Sequence, residues 1–170
     1  MPLVRFREAM SRFACGVTVV AGRIDGELHG MTVAAFSSVS AEPPIVLVCL
    51  SLGSHLGDAL REGDPVTVSI LPATGARIAR RFAGLDGYDG GRYDGIETEP
   101  TATSVPLLAG SVAGFVTRVR LVSPGGDHRV FLLDVLEVRL PEIGEGAGGR
   151  VTDPAPLLWW SRGFARVEKV

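Results

Sequence analysis

Cysteine and histidine are scarce in this chain of 170 residues, which contains two cysteines and three histidines. Cys15 and Cys49 stand among apolar neighbours, so we interpret them as small buried side chains rather than as a disulfide. The histidines, His29, His55 and His128, are scattered, and with the cysteines they show no metal-ligand spacing. The sequence therefore predicts neither a disulfide framework nor a metal centre.

Long hydrophobic runs and blocks of basic residues are also missing. The apolar run at 45–50 is too short to cross a bilayer, and the early charges of Arg5, Arg7 and Glu8 are unlike a signal peptide. Seventeen basic residues oppose nineteen acidic ones, for a formal net charge of −2. Because no basic patch stands out, we expect a cytoplasmic protein without a nucleic-acid or membrane partner.

The residues that are present are typical of one folded domain. Hydrophobic residues make up 46% of the chain and charged residues 21%, which fits a soluble protein with a well-filled core. A chain of this length fits a single domain, so we take 1–170 as one unit.

Apolar spacing divides the chain into short strands and a few helices. Phe6, Ala9, Met10 and Phe13 recur at helical spacing and predict an amphipathic helix over 3–14. The other predicted elements are a helix at 55–61 capped by Ser54, a helix from Thr74 through Phe82, a short polar segment at 37–40, and strands at 17–20, 27–33, 45–50, 66–71, 112–122, 129–139 and 157–160. Polar loops without periodicity cover 83–104 and 144–154. About six short strands in hairpin order, with two or three helices, indicate a closed antiparallel barrel with peripheral helices.

The familiar nucleotide and nucleophile motifs give no site. Residues 144–149 satisfy G-x-G-x-x-G, but Pro154 and Pro156 follow and no helix can start there to receive a pyrophosphate. We interpret this segment as a loop. The sequence also lacks a phosphate-binding P-loop and a G-x-S-x-G elbow, so nothing in it predicts nucleophilic catalysis.

Two segments carry polar groups that fit either a site or an ordinary surface. Residues 30–40 place Thr32 and three serines beside Ala34 and Ala35, a composition that lets backbone N–H groups approach a flat or phosphorylated ligand. A polar edge strand explains the same residues equally well. Asp127-His128 at a predicted turn is, from composition alone, more typical of a solvated turn with a titrating histidine.

Seven blocks of residues, taken together, resemble the flavin reductase-like family, whose fold is the FMN-binding split barrel. They run in the order of that family from about residue 5 to residue 166, and each is weak by itself. The blocks are Phe6-Arg7-Glu8-Ala9-Met10 with Phe13-Ala14 and Gly16-Val17-Thr18-Val19-Val20, Gly30-Met31-Thr32-Val33-Ala34-Ala35-Phe36-Ser37-Ser38-Val39-Ser40 with Pro43-Pro44, Ser51-x-x-Ser54, Ala79-Arg80-Arg81-Phe82-Ala83-Gly84, Pro106-Leu107-Leu108, Gly126-Asp127-His128 and Pro156-Leu157-Leu158.

The resemblance implies an antiparallel split barrel with two to three flanking helices and a defined reaction. Members are small homodimers, and many are reductase components of two-component flavin-dependent monooxygenases. NADH or NADPH would reduce FAD or FMN, and the reduced flavin would diffuse to a separate oxygenase. A non-catalytic flavin- or haem-binding protein and an oxidase with permanently bound FMN remain alternatives. The choices between FAD and FMN, and between NADH and NADPH, stay open.

The resemblance also implies a role for particular residues. His128 would position the nicotinamide or donate a hydrogen bond to the reduced flavin, and Ser38 would face the same nicotinamide side. The predicted flavin contacts are Thr32, Val33, Ala34 and Ala35 along the isoalloxazine ring, Cys49, Leu50 and Ser51 along the ribityl chain, Ser54 at the phosphate, and Arg81 and Phe82 near the phosphate or adenine end.

The sequence departs from the family pattern at three places. Ala34-Ala35 stands where members often carry Asn-Ser or Ser-Ala, so two side-chain donors are missing and we expect loose flavin binding through the backbone. Leu133-Asp134 replaces a region that often holds glycine. Trp159-Trp160 stands where Tyr or Phe is usual, and a Trp at this place would suit either a ring stack at the cofactor or a role in the core or at a dimer interface.

Overall fold

The structure is a computed structural model that describes residues 2–141 and 155–168. The predicted loop at 144–154, including the glycine motif, lies outside these residues. The elements within them are α1 (Leu3–Ser11), β1 (Cys15–Gly16), β2 (Thr18–Ile24), β3 (Glu27–Val33), β4 (Phe36–Ala41), β5 (Pro44–Ser51), α2 (His55–Ala59), β6 (Pro65–Ile70), α3 (Ala76–Phe82), β7 (Thr98–Glu99), β8 (Leu107–Leu108), β9 (Ala113–Gly125), β10 (His128–Arg139), β11 (Leu157–Trp160) and β12 (Gly163–Arg166).

A seven-stranded antiparallel sheet with the order β3-β2-β6-β9-β10-β5-β4 forms the body of the described residues. Its two edges bend toward each other, because Val33 of β3, Val46 of β5 and Phe36 of β4 pack in one hydrophobic cluster. The rings of Phe36 and Phe115, from β4 and β9, are 5.5 Å apart. The edges β3 and β4 are not neighbours in the ladder. The expected closed barrel is therefore a split barrel, as the resemblance implied.

The described residues form five strands that were not predicted as strands: β4 in the large sheet, and β1, β7, β8 and β12 in two smaller sheets. One has the order β1-β11-β12 and the other pairs β7 with β8. The polar segment at 37–40 is part of β4, and the predicted long loop over 83–104 contains β7. These short strands lack enough alternating residues to stand out in the sequence. Cys15 and Cys49 are free and half-buried, so the expectation of two buried side chains was too strong.

Helix α1 begins as expected but ends at Ser11, three residues before the predicted end. None of its residues is buried, and Leu3, Phe6 and Met10 are exposed. The apolar face that the spacing predicted is present, but the residues that the structure describes leave it exposed. No helix in the described part of the chain is long and apolar enough to span a membrane.

A second hydrophobic cluster lies beneath α3 and holds this helix in place. Its members are Val17, Val19, Leu71, Ala79, Phe82, Leu108 and Leu157. Because β2, α3 and β11 all contribute to it, α3 is held firmly against the sheet beside β3.

Candidate functional site

The chain crosses from β3 to β4 at the predicted ring-binding residues. The Thr32 hydroxyl donates to the Ala79 carbonyl of α3 at 2.7 Å, and the Cys49 N–H donates to the Ala35 carbonyl at 3.0 Å. Val33 is buried in the core, whereas Ala34 is half-buried and Ala35 exposed. The crossing therefore lies against β5 and presents main chain and two small side chains at its surface.

The end of β5 brings the next group of predicted residues beside this crossing. The Leu50 side chain is fully buried, so a predicted ligand contact by Leu50 would have to use its backbone. Partial burial raises the pKa of the Cys49 thiol, which fits a packing role and not a nucleophile. Ser54 caps α2: its hydroxyl donates to the Ser51 carbonyl at 2.7 Å and accepts from the Gly57 N–H at 3.1 Å. Ser54 therefore fixes the turn between Ser51 and α2.

His128 lies at the same end of β5. It pairs with Ser51 in the β10–β5 ladder, and the Leu52 N–H donates to the Asp127 carbonyl at 3.0 Å. The distance from His128 Nδ1 to Asp127 Oδ1 is 2.7 Å, and this hydrogen bond holds the pKa of Asp127 below its ordinary value. Because an ionised carboxylate only accepts, Nδ1 carries the proton. Nε2 of this part-exposed ring makes no hydrogen bond with the residues that the structure describes.

Ser38 is not brought to His128 within one chain. On β5, Val46 lies opposite Ser38 and Ser51 lies opposite His128. The five residues of strand from Val46 to Ser51 span ~17 Å at ~3.3 Å per residue. Within one chain the two side chains therefore lie far apart along β5, and the expectation that both face the nicotinamide side stays a prediction.

A cavity of about 680 Å³ opens between β3, the start of α2 and the chain after α3, a volume typical of ligand sites. Three predicted residues, Thr32, Ser54 and Phe82, line it. The Phe82 side chain is fully buried and meets Tyr93 edge-on at 4.9 Å. Phe82 thus belongs to the core, and its backbone rather than its ring is available to a ligand.

Sequence reasoning missed three basic residues of this cavity: His29, His55 and Arg92. The two imidazole rings are 5.6 Å apart. Arg92 Nη1 donates to the Gly30 and Phe82 carbonyls at 3.1 and 2.6 Å. His29 and His55 adjoin quoted motif residues, which was a usable signal, but nothing marked Arg92. Among the described lining residues no carboxylate appears, so the cavity favours an anionic group.

Arg81 is turned away from this cavity toward the loop that follows α3. Its Nε pairs with Asp86 Oδ2 at 3.0 Å, and its Nη1 donates to the Asp94 carbonyl at 3.0 Å. Arg81 does not line the cavity. Its Nε and Nη1 are thus engaged by this loop, and its contact with a phosphate or adenine stays a prediction.

Comparison with known proteins accounts for this arrangement. The family model described as "Flavin reductase like domain" matches residues 10–168. The chain belongs to this family. It is 36% identical over 162 residues to the reductase component of 4-hydroxyphenylacetate 3-monooxygenase from Thermus thermophilus, covering 95% of each chain. It is 34% identical to an NADH-dependent FAD reductase of Streptomyces globisporus, covering 90% of this chain and 86% of the relative.

Solved structures agree with the fold. The NADH:FAD oxidoreductase SgcE6 of Streptomyces globisporus C-1027, in complex with NAD and FAD fragments, superposes with a TM-score of 0.80 at 29% identity. The match covers 97% of this chain and 92% of that one. The mainly β split barrel is thus the fold of this family member.

Proposed function

We propose that this chain is an NAD(P)H:flavin oxidoreductase that supplies reduced flavin to a separate oxygenase. The observation that carries the proposal is the cavity of about 680 Å³ lined by His29, His55 and Arg92. Thr32 of the β3–β4 crossing and Ser54 of the turn after β5 also line this cavity, and the line from the crossing to the cavity is the proposed flavin path. A planar ring fits the small-residue crossing, and a phosphate fits a cavity lined by imidazoles and a guanidinium. Two relatives, of which the match covers 95% and 86%, are named as a monooxygenase reductase component and an NADH-dependent FAD reductase.

The flavin supplies the redox chemistry: its N5 accepts a hydride from nicotinamide C4, so NAD(P)H is oxidised as the flavin is reduced. The protein has only to stack the nicotinamide on the flavin ring, with C4 of the first against N5 of the second. That requirement is consistent with the lack of a nucleophile motif in the sequence. FAD or FMN is the flavin, and NADH or NADPH is the hydride donor.

The predicted residues divide along the path. The main chain of Thr32, Val33, Ala34 and Ala35 borders the ring, and Cys49, Leu50 and Ser51 follow the ribityl chain. Ser54 shapes the turn at the phosphate, with Phe82 contributing main chain beyond it. His29, His55 and Arg92 provide the positive charge or hydrogen-bond donors that a phosphate needs.

His128 is proposed to position the nicotinamide. Its Nδ1 donates to Asp127, which orients the ring and leaves Nε2 toward the carboxamide. Since Ser38 lies a long way along β5 from His128, we assign the nicotinamide to His128 and keep Ser38 as a contact farther along the nucleotide.

Loose flavin binding follows from the side chains at Ala34-Ala35. Neither methyl group can donate a hydrogen bond, so affinity at the ring rests on backbone groups. A weakly held flavin is what a reductase component needs, because the reduced product must leave for the oxygenase. The reaction needs NAD(P)H and that partner, so we place the protein in the cytoplasm.

We further propose a homodimer in which a second copy covers the exposed face of α1. The Ser161 N–H donates to the Ser11 carbonyl at 2.8 Å, so the end of α1 adjoins the β11–β12 turn. Trp159 and Trp160 are exposed on the neighbouring strand, and together with α1 they form an apolar patch of the kind that subunits bury. Trp159 meets Phe164 edge-on at 5.2 Å, which favours the interface interpretation.

Light scattering is expected to report a dimer, and a monomer would contradict the proposed homodimer.

The direct test measures loss of the nicotinamide absorbance with purified protein, for FAD and FMN against NADH and NADPH. Flavin-dependent turnover is expected, and the four combinations rank the cofactors. Folded protein that binds flavin without turnover would indicate a binding module instead. Flavin that stays bound through gel filtration would indicate an oxidase with resident FMN.

A further inference from the structure

The loop formed by residues 86–94, here called the wall loop, closes one side of the basic cavity. Gly90, Gly91 and Arg92 line the cavity from this loop, across from Ser54 and His55. The wall loop lies on the surface, and its glycines are exposed. The shape of the cavity on this side therefore depends on what holds the loop in place.

Arg81 makes three contacts with the wall loop. Its Nε pairs with Asp86 Oδ2 at 3.0 Å, and its Nη1 donates to the Asp94 carbonyl at 3.0 Å. Its Cζ lies 3.9 Å from the centre of the Tyr88 ring. Only 11% of the Arg81 side chain and 17% of the Asp86 side chain are exposed. A planar guanidinium that stacks and donates in two directions is a task to which lysine is poorly suited.

The wall loop is also folded on itself around Asp94. The Gly91 N–H and the Tyr88 hydroxyl donate to Asp94 Oδ2 at 2.9 and 3.4 Å. A Cβ on Gly90 would lie 2.6 Å from the Tyr88 ring and 2.8 Å from Asp94 Oδ2. Arg81 thus stacks on the Tyr88 ring and bonds the main chain of Asp94, and the side chains of these two residues lie against the glycines that line the cavity.

Arg92 ties the loop to β3 and α3, through the Gly30 and Phe82 carbonyls. Because α3 is anchored in the second hydrophobic cluster, Arg81 connects Asp86, Tyr88 and Asp94 of the loop to a rigid base. With the contacts of both Arg81 and Arg92 in place, the wall loop encloses the cavity. With the Arg92 contacts alone, the loop would open to solvent.

We propose that Arg81 is a positioning residue, which latches the wall loop over the phosphate end of the flavin and so sets flavin affinity without contacting the flavin. This rests on the proposed function. Hydrogen bonds from Arg81 and the Tyr88 N–H hold the pKa of Asp86 below its ordinary value, although its partial burial alone would raise it. The Arg81–Asp86 pair is therefore charged at neutral pH.

The competing explanation is that Arg81 leaves the loop and binds the phosphate directly. Asp86→Ala separates the two, because it frees the guanidinium. A direct ligand would then bind flavin equally well or more tightly. If Arg81 instead holds the wall loop, Asp86→Ala removes the partner of Arg81 in the loop, and flavin would bind more weakly.

The experiment compares wild type, Arg81→Ala, Asp86→Ala and the double variant, with Arg77→Ala as the control. Arg77 is an exposed residue on the same helix. If the latched population falls to roughly a tenth, the apparent flavin dissociation constant rises on the order of tenfold. We expect that rise, and a matching rise in flavin KM, in both single variants and no further rise in the double variant. We expect kcat to change by less than about twofold, since the ring end is untouched.

Hydrogen–deuterium exchange of residues 86–94 gives a readout that needs no turnover. We expect faster exchange in Arg81→Ala and Asp86→Ala than in wild type or Arg77→Ala. Arg81→Lys should fall between, because lysine keeps the ion pair but loses the stacked fork. If Arg81→Ala does not fold, Arg81→Lys and Tyr88→Leu provide the same test.

Unchanged or tighter flavin binding in Asp86→Ala would overturn the latch, and so would an unchanged exchange rate in Arg81→Ala. A loss of kcat at constant flavin KM would also overturn it. Failure of the proposed function is distinguishable, because wild type itself would then neither bind nor reduce flavin while the exchange experiment still reports on the loop.

Discussion

The two ends of the proposed flavin path differ in which parts of the chain form them. The ring end is strand main chain: β3, β4 and β5 meet there, and the contact between Ala35 and Cys49 is a backbone hydrogen bond. The phosphate end is enclosed by loops and by long side chains, among them Arg92 and the Arg81–Asp86 pair. The position of main chain in a sheet changes little when side chains are mutated, whereas a single substitution removes a side-chain contact. Affinity is therefore adjustable at one end without moving the reacting atoms at the other.

The largest expected effect comes from filling the strand next to the cavity. A Cβ on Gly30 would lie 2.6 Å from the Tyr93 hydroxyl and 2.7 Å from Phe82. Gly30→Ala should lower the free energy of unfolding by ~1–3 kcal/mol through overpacking, as measured by urea denaturation. Gly16→Ala is the matched control, since a Cβ there meets nothing within 4 Å. Equal stability of the two variants would contradict the tight contact between β3 and α3.

A change at His128 tests the ring end. His128→Ala should lower kcat or raise the NADH KM by roughly five- to tenfold, the scale of one lost positioning hydrogen bond. Flavin affinity, measured by quenching of flavin fluorescence, should stay within about twofold of wild type. Unchanged kinetics would remove His128 from the site.

A change at Arg92 tests the phosphate end. Arg92→Ala removes a positive charge and the tie to the Gly30 and Phe82 carbonyls, so flavin KM should rise about fivefold with kcat nearly constant. Steady-state kinetics at saturating NADH measure both constants. An effect on kcat alone would show that the two ends are not separable.

The smallest expected effect comes from restoring a side-chain donor at the ring. Ala34→Ser adds a hydroxyl where relatives of the family often carry one, and flavin should bind about two- to fivefold more tightly. Slower release of flavin on gel filtration is the measurement. Weaker binding would mean that the crossing has no room for a donor beside the ring.

Local sequence patterns predicted the sheet strands well and the edges of elements poorly. The 129–139 strand and β10 (His128–Arg139) nearly coincide, because a long alternating run carries its own signal. Helix α1 stops at Ser11 although its apolar spacing continues to Phe13. Apolar spacing does not show where a helix stops packing against the rest of the protein. Helix α1 has no such packing within the described chain, so its spacing did not predict its end.

The cavity could be predicted only in part. Thr32, Ser54 and Phe82 were found through motif blocks, while His29, His55 and Arg92 were missed. The Arg92–Gly30 contact joins residues 62 positions apart, and it depends on the fold of an aperiodic loop. Arg81 shows the converse case: the resemblance implied a place near the phosphate or adenine, and its contacts with Asp86 and Asp94 support the proposed positioning role instead.

The most direct test of this account measures steady-state NADH oxidation by wild type, His128→Ala and Arg92→Ala over a grid of flavin and NADH concentrations. The account predicts flavin-dependent turnover in wild type, a change in NADH KM or kcat with His128→Ala, and a change in flavin KM alone with Arg92→Ala. Folded wild-type protein without flavin-dependent turnover, or variants that shift both constants together, would contradict it.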